Sequence, residues 1–290
     1  MQLDIFEHNR DTMLRNDALQ ALQQRNPAAV RAAAQRLAAE YPGDRSLPDL
    51  ERLADVLESA LPRAFDAPAA AAQALQLLRD QIAPASQRLL GNIDGSTWLK
   101  PLWQQMARRA ATLDFRTDQP DCHAASLWLL AGEPASAADA VERIASWRRI
   151  PVPLQWMCEA RWQLQGLDAI WGLLAELAWL APARFDALAQ RRADPLLQRL
   201  RRQFDQCFEG NGDTSDLAWF PAWVLIEKPA LAPLLGQAQP GLQNEPERGM
   251  RLLLDLLHLE RLGRQRDLIE QRRRLRDLHQ GLFAAYMATR

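Results

Sequence analysis

The sequence predicts an all-α protein, an array of antiparallel helical hairpins. Three observations lead there. Prolines stand just behind capping residues at joint after joint. Apolar residues recur at helical spacing in short runs. Strand signals are nearly absent: there are two tyrosines, few β-branched runs, and no turn dipeptide between alternating segments. Asp94-Gly95 has the hairpin-turn composition, but helical segments flank it.

The joints come first in the argument. Asn26-Pro27, Asp66-Ala-Pro68, Asp118-Gln-Pro120 and Asp194-Pro195 each place a polar residue before an early proline. Asn244-Glu-Pro246-Glu247 adds a glutamate able to close a capping box. Early proline is tolerated because the first helical amides have no intrahelical partner, and the polar side chain satisfies other orphan donors. Helices are therefore expected near 11–25, 27–40, 47–61, 68–90, 97–113, 120–131 and 135–148. Further ones are expected near 152–165, 167–180, 183–192, 195–209, 216–227, 229–236, 246–262 and 265–288. Isolated helices of such lengths are marginal in water, so each has to bury an apolar stripe on a neighbour. Leu50, Leu53, Leu57 and Leu61 form one stripe, and Leu197, Leu200 and Phe204 form part of another.

Composition divides the chain into three sections of one array: 1–95, Ala-rich and without tryptophan; 96–240, Trp-rich; and 241–290, rich in Leu and Arg. Gly91–Ser96 and Gly236–Asn244 are the breaks, and all ten tryptophans lie between Trp98 and Trp223.

Composition also excludes function classes. With 48% hydrophobic and 24% charged residues the chain has the makings of a packed core. A net charge of −1 gives no global field for nucleic acid or acidic lipid. Three cysteines without C-x-x-C spacing argue against a disulfide framework or a cysteine-rich zinc site. The polar start, Met1–Arg10, does not read as a signal peptide, and the most apolar window, Leu167–Pro182, is shorter than a membrane span and holds Asp168 and Glu176. The expected setting is the cytoplasm of a bacterium, with no membrane contact.

No catalytic, metal or cofactor constellation emerges. His8, His123, His258 and His279 show no ligand spacing, and Cys122-His123 are adjacent, which on a helix points them about 100° apart. His258 reads as a partly buried histidine. The segment Glu209–Asp216 lacks calcium-loop spacing and reads as a solvated loop in which Asp216 caps the next helix. Phosphate loops, dinucleotide fingerprints and hydrolase elbows have no matching glycines.

Trp128 and Gly132 recur as Trp162 and Gly166, each 34 residues later. This spacing resembles the tetratricopeptide repeat, a 34-residue helical hairpin. The resemblance implies that each glycine lets two helices cross closely, with Ala178 packing in the second helix and Pro182 after it. A degenerate copy runs through Leu22, Asn26, Ala38 and Pro42. Ile144, Arg148, Ala135 and Ala169 depart from the pattern. The resemblance covers about 85 residues and implies a superhelix that presents a groove to a protein partner. Trp128, Trp156, Trp162 and Trp171 are then candidate partner-binding residues, the alternative being that they pack between helices.

The end of the chain is basic. Seven arginines between Arg261 and Arg276 face only Asp267 and Glu270, a local charge of +5. Leu268, Leu275 and Leu282 repeat every seven residues as an apolar seam. Arg264, Arg266, Arg272, Arg273, Arg274 and Arg276 are candidate phosphate contacts to nucleic acid; alternatively the seam docks inward and the arginines are solvated.

The front offers a second resemblance. Gln2-Leu3-Asp4-Ile5-Phe6 is similar to the peptide by which bacterial DNA polymerases and repair proteins bind the sliding clamp, with Ile5 in place of leucine. It implies that Leu3, Ile5 and Phe6 fill an apolar pocket while Gln2 makes polar contacts. The sequence thus predicts a non-enzymatic scaffold for another protein, or else an accessory factor of bacterial replication or repair tethered to the clamp.

Overall fold

The computed structural model describes residues 3–59 and 64–290, with side chains from residue 10 onward. The described residues are helical with no strand. The chain forms two compact units, Met1–Glu133 and Pro134–Arg290.

The first unit contains α1 (Leu3–Gln23), α2 (Pro27–Glu40), α3 (Leu47–Glu58), α4 (Pro68–Leu77), α5 (Ala83–Arg109) and α6 (Ala124–Ala131). Consecutive helices are neighbours: α1 packs on α2, α2 on α3 and α5 on α6. The corner after α1 is latched to α5. Trp98 Nε1 donates to the Leu22 carbonyl at 2.8 Å, and Arg25 donates to the Trp98 carbonyl at 2.7 Å while its guanidinium lies over the indole. Asp49 is buried on α3 and accepts two bonds from Arg88, at 2.7 and 2.8 Å. That guanidinium holds the Asp49 carboxyl below its usual range, against the effect of burial.

The expected section boundary after residue 95 falls inside α5. A π-helical turn, Leu78–Ile82, joins α4 to α5, and the helix kinks at Gly91, whose φ of 80° favours glycine. Beyond the kink the chain folds back, and Ser86 Oγ donates to the Gly95 carbonyl. A Cβ at Gly95 would lie 2.8 Å from the Ser86 carbonyl oxygen, so this crossing admits no side chain. The change in composition falls at this break, where two helical stretches within Ala83–Arg109 meet at the non-helical Gly91.

The second unit holds α7 (Pro134–Glu142), α8 (Pro151–Gln165), α9 (Trp171–Leu180), α10 (Pro182–Arg192), α11 (Pro195–Cys207) and α12 (Phe220–Glu227). It continues through α13 (Ala232–Leu235), α14 (Glu245–Leu262), α15 (Gln265–Leu278) and α16 (Gln280–Ala288). Helix α9 is buried from Trp171 to Trp179 and packs against α8, α10, α12 and α13. It is the core helix of this unit, and among the described residues no helix is long and apolar enough to cross a membrane. Beside it Phe204 meets Phe220 and Trp223 edge-on, both at 5.6 Å between ring centres.

Caps divide into those that form and those displaced. Asn26, Asp194 and Asn244 accept amide bonds from the first helical turn as their sequence positions predict. Asp66 and Asp118 lie one residue too far upstream, and the capping positions are Ala67 and Gln119. Asp213 caps the 214–219 turn in place of Asp216, which instead accepts the amides of Asn211 and Gly212. The single helix expected over 265–288 breaks at His279, whose backbone turns extended and whose Nδ1 accepts the Leu282 amide at 3.0 Å. The Trp219 ring packs edge-on against it, 4.5 Å between centres. His258 is exposed rather than partly buried.

Two predictions follow from these joints. Gly95→Ala is expected to cost about 1–3 kcal/mol by forced overpacking, read as a lower denaturation midpoint. Gly43→Ala, whose methyl meets nothing within 4 Å, is expected to stay within about 0.5 kcal/mol; equal losses would show that the Gly95 crossing is not tight.

Burial pushes the His279 imidazole below its ordinary pKa. The folded state then binds fewer protons than the unfolded one, so stability falls as pH drops from about 6.5 through the lowered value. Thermal melts across that window are expected to show a steeper loss for the wild type than for His279→Asn, which keeps a capping oxygen but does not titrate. Parallel curves would remove His279 from the account.

Candidate functional site

The proposed groove of tryptophans is resolved residue by residue. Trp156 and Trp171 are buried in α8 and α9, at 7% and 1% exposure, so they are core residues. Trp128 and Trp162 are partly exposed, on α6 and α8. Both repeat glycines end helices instead of admitting a close crossing. Gly132 takes a left-handed conformation after α6, Gly166 has a φ of 83° after α8, and a Cβ on Gly166 would meet nothing within 4 Å. The two glycines, 34 residues apart, thus each follow a helix, in different backbone conformations. Gln2 of the front peptide, and the side chains of Leu3, Asp4, Ile5 and Phe6, lie outside the described residues.

The basic end is a seam turned inward. Leu268, Leu275 and Leu282 are all 3% exposed or less. Outside them, Arg264 pairs with Asp267, Arg272 with Glu260, Arg273 and Arg276 with Asp277, and Arg274 with Glu270. Of the six candidate phosphate contacts, Arg266 alone has no ion pair among the described residues. Glu260 also accepts from Arg290 at 2.7 Å and from the Tyr286 hydroxyl, which ties α16 to α14. The positive charge is largely balanced within the chain, and exposed pairs of this kind are each worth about 0–1 kcal/mol.

Between α14 and α15 runs an open groove of about 650 Å³. Leu252 and Leu278 contribute its apolar surface, and Glu245, Arg248, Asp255, Arg274 and Asp277 its charged rim.

The loop from Gly236 to Asn244 is held by side chains of α9 and α14 and by Arg149. Glu247 is 1% exposed and accepts the amides of Gly241 and Gln243 at 2.9 and 2.8 Å, together with Arg251 at 3.1 Å. The expected capping box is thus extended outward: its glutamate holds the loop before the cap, not the cap amide. Burial acts to raise the Glu247 pKa, but these donors outweigh it and hold the carboxyl low. Glu176 on α9 accepts Arg148 at 2.5 Å and the Gln239 amide at 2.8 Å, yet burial prevails and its pKa is raised. Arg149 donates to the Pro240 carbonyl at 2.5 Å. Gly172 permits the approach, since a Cβ there would sit 2.9 Å from the Ala238 amide nitrogen. The void beside these groups is about 20 Å³, room for one water and no substrate. The network is structural.

One group has no such balance. Arg109, at the end of α5, is 8% exposed, and its Nε is buried without a hydrogen-bond partner. No carboxylate among the described residues pairs with it; its guanidinium lies 3.9 Å over the Phe65 ring, and one terminal nitrogen meets the Met106 sulfur at 3.9 Å. A cation–π contact offers ~2 kcal/mol when desolvated, against a burial penalty of several kcal/mol for an ion. Nothing local in the sequence distinguishes Arg109 from the other arginines. Its setting is made by residues from α3, α4 and α5 meeting around it.

Comparison with protein-family models, curated proteins and solved structures found no match to this chain.

Removing the Glu247 carboxylate strands two loop amides and Arg251. Glu247→Ala is therefore expected to cost about 3 kcal/mol or more in urea unfolding, and Glu247→Gln clearly less. An alanine cost below about 1 kcal/mol would show that the loop is not held this way.

Proposed function

We propose that this chain is a non-enzymatic helical-hairpin scaffold, tetratricopeptide-like in organisation, that binds another protein through the groove between α14 and α15. The groove carries the reading. It offers Leu252 and Leu278 between rims of both charges, a composition suited to an amphipathic helix that lays an apolar stripe inward and mixed charges outward. The packing of consecutive helices, α1 on α2, α7 on α8 and α14 on α15, supports the hairpin organisation. The ion pairing of the arginines on α15 favours a protein over nucleic acid, because phosphates would have to displace carboxylates rather than mobile counterions.

The second reading rests on Gln2–Phe6, whose side-chain types suit the sliding clamp: an accessory role in replication or repair with the front as tether. One experiment separates the two. Chain tagged at its C-terminus is used to retrieve partners from host lysate, beside Leu252→Glu/Leu278→Glu and Leu3→Ala/Phe6→Ala variants shown to be folded. The scaffold reading expects the partner to vanish with the groove variant alone. Loss of the clamp with the front variant alone would put the tether first, and identical retrieval by all three would overturn both.

A further inference from the structure

A pocket in the first unit lies between α3, α4 and α5. Val56, Ala74, Leu77, Leu102 and Met106 line it together with Arg109. Its volume is about 80 Å³, several times the space one water needs. Apart from the arginine the lining holds one polar side chain, Ser59, whose hydroxyl donates to the Asp55 carbonyl, and Leu77 is a large hydrophobic lining residue left 45% exposed.

Two independent features coincide here. The first is an apolar pocket of a size for a short hydrocarbon body. The second is a guanidinium that keeps its charge at any ordinary pH, is nine-tenths buried, and has an Nε donor without an acceptor. Folding leaves such a charge uncompensated only at a cost, and the interaction that would offset it is an anion. Other buried ions in the chain are matched from within, as Asp49 is by Arg88 and Glu247 by Arg251. Arg109 is not.

We infer that this pocket binds a monoanionic amphiphile, a small carboxylic acid with an aliphatic body, whose carboxylate meets the Arg109 guanidinium and whose hydrocarbon lies against Val56, Ala74, Leu77 and Met106. The single cation sets the charge: a dianion such as a phosphate monoester would bring a second charge into an apolar lining with nothing to receive it. The planar guanidinium fork matches a carboxylate, which its terminal nitrogens would meet, since Nε itself has no accessible surface. Ligands of this class are held by apolar walls and a few polar groups that fix their orientation. This site belongs to the first unit and is independent of partner binding at α14–α15.

The test uses the full chain and two probes of equal tail length, octanoate and octan-1-ol, titrated by calorimetry. Octanoate is expected to bind about tenfold or more tightly than the alcohol, and Arg109→Met to abolish that preference while still taking up the alcohol. Ala74→Trp, which fills the pocket and leaves the arginine, is expected to lose both probes. Octanoate is also expected to raise the melting temperature of the wild type and not of Arg109→Met. Equal binding of the two probes, undiminished octanoate binding by Ala74→Trp, or no octanoate binding at millimolar concentration would overturn the inference.

Discussion

Every helix end leaves backbone groups that have to be satisfied, and in a chain of short helices this constraint governs almost everything. A helix of 8 or 10 residues, such as α6 or α9, has few amides that are not terminal. The chain meets the constraint with side-chain oxygens before the first turn, prolines in it, and glycines after the last. Where loop amides also need partners the solution becomes tertiary. Glu176 and Glu247, on different helices, converge on the loop from Gly236 to Asn244, and Arg149 and Arg251 hold its carbonyls. A segment that composition marks as a break is thereby tied to two helices of its unit.

Features that depend on local chemistry were legible in the sequence. Asn26 and Asp194 cap with the proline directly after them; Asn244 caps with one residue between, a spacing that leaves Asp66 and Asp118 outside the cap. The seam of Leu268, Leu275 and Leu282 is buried because a seven-residue apolar period demands a surface to lie on. Other features depend on what comes from elsewhere in the chain. The helical pattern over 265–288 is continuous, and the break at His279 arises because its ring packs against Trp219 from another part of the chain. Gly132 and Gly166, at a repeat-like spacing, each follow the last turn of a helix.

The candidate sites divide along the same line. The arginines at the end of the chain stood out as a local cluster, and in the fold most of them are answered by carboxylates on their own or adjacent helices. Arg109 was invisible, one arginine beside another at a helix end. Its character comes from Phe65, Leu102, Met106 and the α3–α4 side chains that deprive it of water. A charge becomes chemically notable when its neighbours withhold a counter-ion, and neighbours at that sequence distance leave no pattern to read.

The burial of α9 has a consequence for the order in which the chain is made. As synthesis proceeds from the N-terminus, α8 is available when α9 emerges, but α10, the 214–219 turn, α12 and α13 are all still to come. Until then the nascent chain carries a helix with no polar face. Glu176 is its single charged residue and lacks the Gln239 amide that later receives it. In that interval the same carboxylate serves as a solubilising guard on an apolar segment prone to stick to itself or to other chains. Its later partnership with the loop is what allows such a guard to remain inside the finished core.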